Sequence, residues 1–145
     1  MKFAELLRYG EFADRGVKGP GDAQQWARRH FPLVVREHGL KLLDTSRPWP
    51  PVSGRHVMIG VAAAYSGADL EILDEVGGAL SKQTDEEIEL LDISGPGYPP
   101  ALDALIRRGA GQTPIVAIWD AGRLVRTEFG KSARDFLRSR YLGNS

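Results

Sequence analysis

The sequence contains no cysteine. That absence excludes disulfides, thiolate metal ligands, cysteine nucleophiles and every dithiol redox cycle. Histidine is scarce, at three residues. His30 and His38 lie across Pro32, and His56 stands alone before an apolar run, so none follows a metal-ligating pattern and no metal or other cofactor is expected. Neither charge is in excess, with 19 Lys and Arg against 19 Asp and Glu. The balance removes the electrostatic argument for nucleic acid or an anionic membrane as partner. Long hydrophobic runs are missing too: the longest, Val57–Tyr65, falls far short of the roughly 20 residues that span a bilayer. Charges are mixed through Met1–Phe12, so no secretory leader is read there and the expected location is cytoplasmic.

What is present is the composition of one soluble domain: 145 residues, 42% hydrophobic and 26% charged. Ser46-Arg47-Pro48-Trp49-Pro50-Pro51 reads as a stiff extended connector. It separates a helical N-terminal extension with its connector, 1–52, from a larger unit, 53–145.

In the extension, Phe3, Leu6, Leu7 and Tyr9 or Phe12 fall on one helical face, and Gly16–Gly21 interrupts it. Asp22 is the expected N-cap of a helix carrying Ala23, Trp26 and Ala27. Pro32 is expected to end that helix and start another, through Leu33, Val34 and Val35, closed by Gly39. The larger unit alternates. Val57–Ala64 reads as a strand buried on both faces, Ser66–Ser81 as a helix, Ile88–Ile93 as a second strand and Pro100–Arg108 as a short helix. Ile115–Trp119 and Arg123–Phe129 form a hairpin about Asp120-Ala121-Gly122, and a helix follows Gly130. Strands joined by a helix run parallel and a hairpin runs antiparallel, so a mixed four-stranded sheet with helices on both faces is expected.

Three short motifs carry a resemblance. Ala64-Tyr65-Ser66-Gly67-Ala68-Asp69 joins a buried strand to a helix, Ile72-Leu73-Asp74-Glu75-Val76 continues that helix, and Gln112-Thr113-Pro114 precedes the hairpin. In these, about residues 55–143 resemble the thioredoxin family. The helical preface is similar to that of a bacterial subfamily with a Trp-Cys-Gly-Asp-Cys motif. The resemblance implies a thioredoxin-like α/β fold. It puts Tyr65, Ser66, Gly67, Ala68 and Asp69 at the family's active-site motif, and Thr113-Pro114 at its cis-proline.

The departure is chemical. Ser66 and Asp69 occupy the two cysteine positions, and a helix dipole worth roughly 1 kcal/mol cannot ionise a serine hydroxyl near neutral pH. Ser-x-x-Asp instead reads as a variant capping box: the Ser66 side chain accepts from the residue-69 amide, and Asp69 favours the positive end of the helix. Family members pair the backbone beside the cis-proline with an extended client segment. Tyr65 and the Thr113 backbone would then line a peptide groove that needs no cysteine, with Trp49 and Trp119 as further contact area, although Trp119, within a strand, reads first as core.

Other readings compete. Ala64–Ala68 approaches the Gly-x-Ser-x-Gly nucleophile elbow, but that arrangement needs a histidine after the serine, and all three precede it. Ser66 could hold a thiolate as serine-type glutathione transferases do, although Asp69 opposes a negative charge there and their all-helical domain is missing. Gly95-Pro96-Gly97-Tyr98 lacks the lysine of a phosphate loop. Arg107 and Arg108 suit either an acidic partner or a helix C-terminus. Lys131, Arg134, Arg138 and Arg140 beside Phe136 and Leu137 read as an amphipathic cover on the sheet.

The sequence thus leads to a redox-inactive thioredoxin-like protein that binds a protein or peptide partner as an adaptor, assembly or chaperone-like module, with oligomeric state open. The alternative is a thiol- or glutathione-binding enzyme built on the helix N-terminus at Ser66.

Overall fold

A computed structural model describes residues 1–7, 20–95, 97–109 and 111–143. The expected helical positions Tyr9 and Phe12, the break at 16–19 and Pro96 lie outside them. The chain is α/β. After a helical turn at residues 5–7 come α1 (Pro20–Glu37), β1 (Lys41–Leu42), β2 (Arg55–Val61), α2 (Gly67–Leu80) and β3 (Glu87–Asp92). A 3-10 turn (Pro100–Leu102) leads into α3 (Asp103–Arg108), followed by β4 (Ile115–Asp120), β5 (Arg123–Phe129) and α4 (Lys131–Leu142). No helix among the described residues is long and apolar enough to cross a membrane.

Among the described residues the sheet has five strands, not the expected four, in the order β1-β3-β2-β4-β5. The extra strand, β1, is two residues long and pairs Lys41 with Glu89 and Leu42 with Leu90. A strand that short leaves no alternating pattern to read. β1, β3 and β2 are parallel, whereas β4 runs antiparallel to both β2 and β5. The β4–β5 loop is Ala121-Gly122, with φ of 51° and 81°. Two-residue hairpins of this left-handed kind match the strand twist, and glycine at the second position adopts it without strain.

Side chains alternate across the sheet as strand geometry dictates. Val57, Ile59, Val61, Val116 and Ile118 face one core with α1, α2 and α4, where Phe31, Leu70, Leu73 and Leu137 are buried. Met58, Ile115, Ala117 and Trp119 face a second core, closed by Trp49, Leu102, Leu105 and Ile106. Trp49 and Trp119 meet edge to face with ring centroids 5.3 Å apart. Both are buried, as the strand position of Trp119 implies, which removes Trp49 as exposed contact area. At the end of α3, Gly109 is forced by packing: a Cβ there would lie 2.4 Å from Ile115 Cδ1.

The N-terminal segment differs from expectation in two ways. α1 begins at Pro20, ahead of Asp22, since proline's fixed φ suits a first helical turn. It then runs through Pro32 without a break. Proline there removes one intrahelical hydrogen bond, but Phe31, Val34 and Val35 on either side of it are pinned in the first core. The helix ends as expected at Gly39, whose φ is 72°. The Leu40 amide donates to Val35 O and the Gly39 amide to Arg36 O, both at 3.0 Å, a Schellman closure. Phe3 and Leu6 are fully buried in the same core. The Phe3 and Ala4 amides donate to the two Asp74 oxygens on α2, at 2.6 and 2.8 Å.

Candidate functional site

The residues singled out by sequence converge at one end of the sheet. β2 ends at Val61, and α2 starts six residues later. On the neighbouring strand Ile115 pairs with Gly60, so Thr113 and Pro114 lie beside the exit of β2. The Thr113–Pro114 peptide is cis. Thr113 is partly buried and Pro114 buried, and the Pro114 carbonyl accepts from the Gly130 amide at 2.9 Å.

Between β2 and α2 the chain turns tightly: the Tyr65 and Ser66 amides both donate to Ala62 O, at 3.1 and 2.9 Å. Ser66 is extended, with φ −118° and ψ 102°, and its Oγ accepts from the Asp69 amide at 3.2 Å. This is the N-cap geometry, and it satisfies an otherwise unpaired amide of the first turn. We expect Ser66→Ala to cost about 1 kcal/mol, read as a lower thermal midpoint.

Asp69 goes beyond the cap that the sequence suggests. It is fully buried, and Oδ2 accepts from the Ala62 amide at 2.9 Å. Its Oδ1 has no hydrogen-bond partner among the described residues. The next two amides are also taken. Ala63 donates to Asp92 Oδ1 and Ala64 to Ser94 Oγ, each at 3.2 Å. Ser94 in turn donates its own amide to Asp92 Oδ1 at 2.9 Å. Three consecutive amides after β2 are therefore held by the protein's own side chains. Asp92 and Ser94 went unnoticed in the sequence. They reach this turn only because β3 runs parallel to β2, pairing Asp92 with Val61.

Gly67 and Ala68 are exposed on the first turn of α2. Tyr65 projects outward, 59% exposed. Its hydroxyl accepts from Arg28 Nη2 at 3.1 Å, and the Arg28 guanidinium sits 5.5 Å from the ring centroid. The arrangement is an aromatic platform on a stiff turn, next to a cis-proline.

Among the described residues no nucleophile–base pair is built around Ser66. His30 Nδ1 bonds Trp26 O and its ring stacks on Trp26. His38 bonds Met1 O, and His56 lies at the far end of β2. The cations expected near the loop have internal partners: Arg107 pairs with Asp103 at 2.9 Å, and Arg108 covers the Phe129 ring. On α4, Arg138 binds Glu75 and Arg140 binds Glu86. Compared with family models, curated proteins and solved structures, the chain matches none of them.

Proposed function

We propose that the chain is a thioredoxin-like protein that binds an extended segment of a protein or peptide partner and performs no thiol chemistry. One observation carries the reading: the capped start of α2 and the Thr113–Pro114 segment lie side by side at the same end of the sheet. The β2–α2–β3 unit followed by the β4–β5 hairpin and α4 supports the fold assignment. Backbone beside the cis-proline would pair with the client strand, and Tyr65 would supply the aromatic contact. Tyrosine presents a large rigid surface with few rotatable bonds, which suits it to such contacts.

The alternative, an enzyme holding a thiol or glutathione at Ser66, draws less support from this geometry. An anion at a helix N-terminus is recognised by unpaired amides. Here the Asp69 amide of the first turn is already capped by Ser66. Asp69 also places a carboxylate beside the position a thiolate would take.

The test is titration of isotope-labelled protein with a library of short extended peptides. Shift perturbations are expected at Tyr65 and Thr113, and Tyr65→Ala is expected to weaken the best binder about tenfold, the loss of roughly 1.4 kcal/mol. Perturbations confined to other surfaces would overturn the reading. Saturable glutathione binding abolished by Ser66→Ala would favour the enzyme.

A further inference from the structure

The opposite end of the parallel strands holds a second polar cluster. In the β2–β3 register His56 pairs with Glu87, and Glu89 lies two residues on along the same face. His56 and Glu89 are buried, 6% and 2% exposed, at the edge of the second core. His56 Nε2 lies 3.0 Å from the Ser53 carbonyl oxygen. A carbonyl only accepts, so Nε2 carries the proton and Nδ1 is turned toward the carboxylates. Nδ1 is buried and has no hydrogen-bond partner among the described residues. It stands 3.5 Å from Glu87 Oε2 and 3.7 Å from Glu89 Oε1.

These are the relations of metal ligands. An ion about 2.1 Å from each ligand of a tetrahedral shell sets those atoms about 3.4 Å apart. The three donor atoms here all lie within 4.8 Å of one another. The outer partners fit as well. A metal-bound imidazole usually donates its other N–H to a carbonyl or carboxylate, as His56 does to Ser53. Glu89 Oε2 is oriented by the Asp44 amide at 3.0 Å. The Trp49 ring packs edge-on against His56, with centroids 6.2 Å apart. An open cleft of about 410 Å³, lined in part by Arg47, Ser53, His56 and Glu87, gives access from solvent.

From this geometry we infer that His56, Glu87 and Glu89 form a binding site for a divalent transition ion of the zinc class. One nitrogen and two carboxylate oxygens suit such an ion and disfavour soft cuprous copper. The rival occupant is Arg47. Its Nη2 bonds Glu89 Oε1 and lies 3.6 Å from Glu87 Oε2. Arg47 sits on the connector and keeps about a third of its side chain exposed, so its guanidinium can swing into the cleft as the ion enters. Protein and ion then compete for the same carboxylate.

The experiment is calorimetric titration of Zn²⁺ into the full, tag-free chain, with folding of each variant checked by circular dichroism. Saturable binding of one ion per chain is expected. It should weaken at least about tenfold in His56→Ala and in Glu87→Gln and tighten in Arg47→Ala. Glu87 is exposed, so its variant reports on the site even where the buried histidine cannot be replaced. Three results would each overturn the inference: no saturable binding by the unmodified chain, binding undiminished by both ligand variants, or binding seen only in Arg47→Ala. The last would make the guanidinium the resident cation.

Discussion

Phe31→Ala is expected to lower the unfolding free energy by about 3–5 kcal/mol, the usual cost of emptying a phenylalanine site in a core. Phe31 is fully buried, its ring centroid 5.9 Å from that of Phe3 and packed in one cluster with residues of α2, β2, β4 and α4. Truncation removes contacts on both sides of the Pro-rich connector at once. The measurement is urea denaturation followed by tryptophan fluorescence and far-ultraviolet circular dichroism together. A single shifted transition, coincident for both probes, is expected. A helical extension packed as an optional cover would instead melt in its own early step and leave the main midpoint in place. For scale, a whole domain of this size is stabilised by roughly 5–15 kcal/mol. The substitution therefore tests whether residues before the connector belong to the same cooperative unit as the sheet.

Glu86→Ala should cost about 1–3 kcal/mol, the range for leaving a part-buried hydrogen-bonding group without its partner, since Arg140 and Arg55 keep a third or more of their side chains in solvent. The Glu86 side chain is 4% exposed and is reached from α4 and β2. Arg140 Nη2 lies 2.7 Å from Oε2, the Tyr141 hydroxyl donates to Oε1 at 2.6 Å, and Arg55 Nε is 3.4 Å from Oε2. Removing the carboxylate strands the Tyr141 hydroxyl and places two guanidinium groups near each other without a counter-charge. The same cluster sets a pH dependence. Burial pushes the Glu86 carboxyl up, but hydrogen bonds from Arg140 and Tyr141 and the charges of Arg140 and Arg55 outweigh it, so it is held below its ordinary value of 4.5. The unfolded chain then binds this proton more readily than the folded one. Stability from Glu86 is therefore complete above the ordinary value and drains away as pH falls through the lower, folded value. Tyr141 moves the opposite way: burial, then the Glu86 carboxylate, raise its phenol well above 10.0. Its contribution is complete below that value and fades only in strong alkali. Denaturation midpoints measured across acidic pH should fall less steeply in Glu86→Ala than in the unmodified chain. Parallel curves would show that other carboxylates govern the acid limb.

How legible was this in the sequence? Patterns that depend on neighbours along the chain were read directly. The apolar run from Val57 marks β2, Ser66 caps α2, Gly39 closes α1, and Ala121-Gly122 turns the hairpin. Each is decided within a few residues by backbone geometry or hydrogen bonding. Pro32 misled because its local penalty is smaller than the burial of Phe31, Val34 and Val35, and burial is settled by the rest of the fold. β1 was invisible for a related reason: Lys41 and Leu42 are strand only because β3 is there to pair with them. At the candidate site, Ser66 and the turn around it were legible, whereas the anchors Asp92 and Ser94 were not. The His56–Glu87–Glu89 cluster is the extreme case. His56 lies far along the chain from the two glutamates, and parallel register alone brings it within their reach.

The captured amides of Ala62, Ala63 and Ala64 bear on how fast and how firmly anything can dock against Tyr65. A surface loop that must be ordered by its visitor surrenders conformational entropy at the moment of contact, and affinity falls accordingly. Here that ordering is completed as the domain folds, by side chains drawn from α2 and from β3 and the turn that follows it. Under the proposed function the turn would meet its partner already in shape, and discrimination between partners would rest on fit rather than on adaptability.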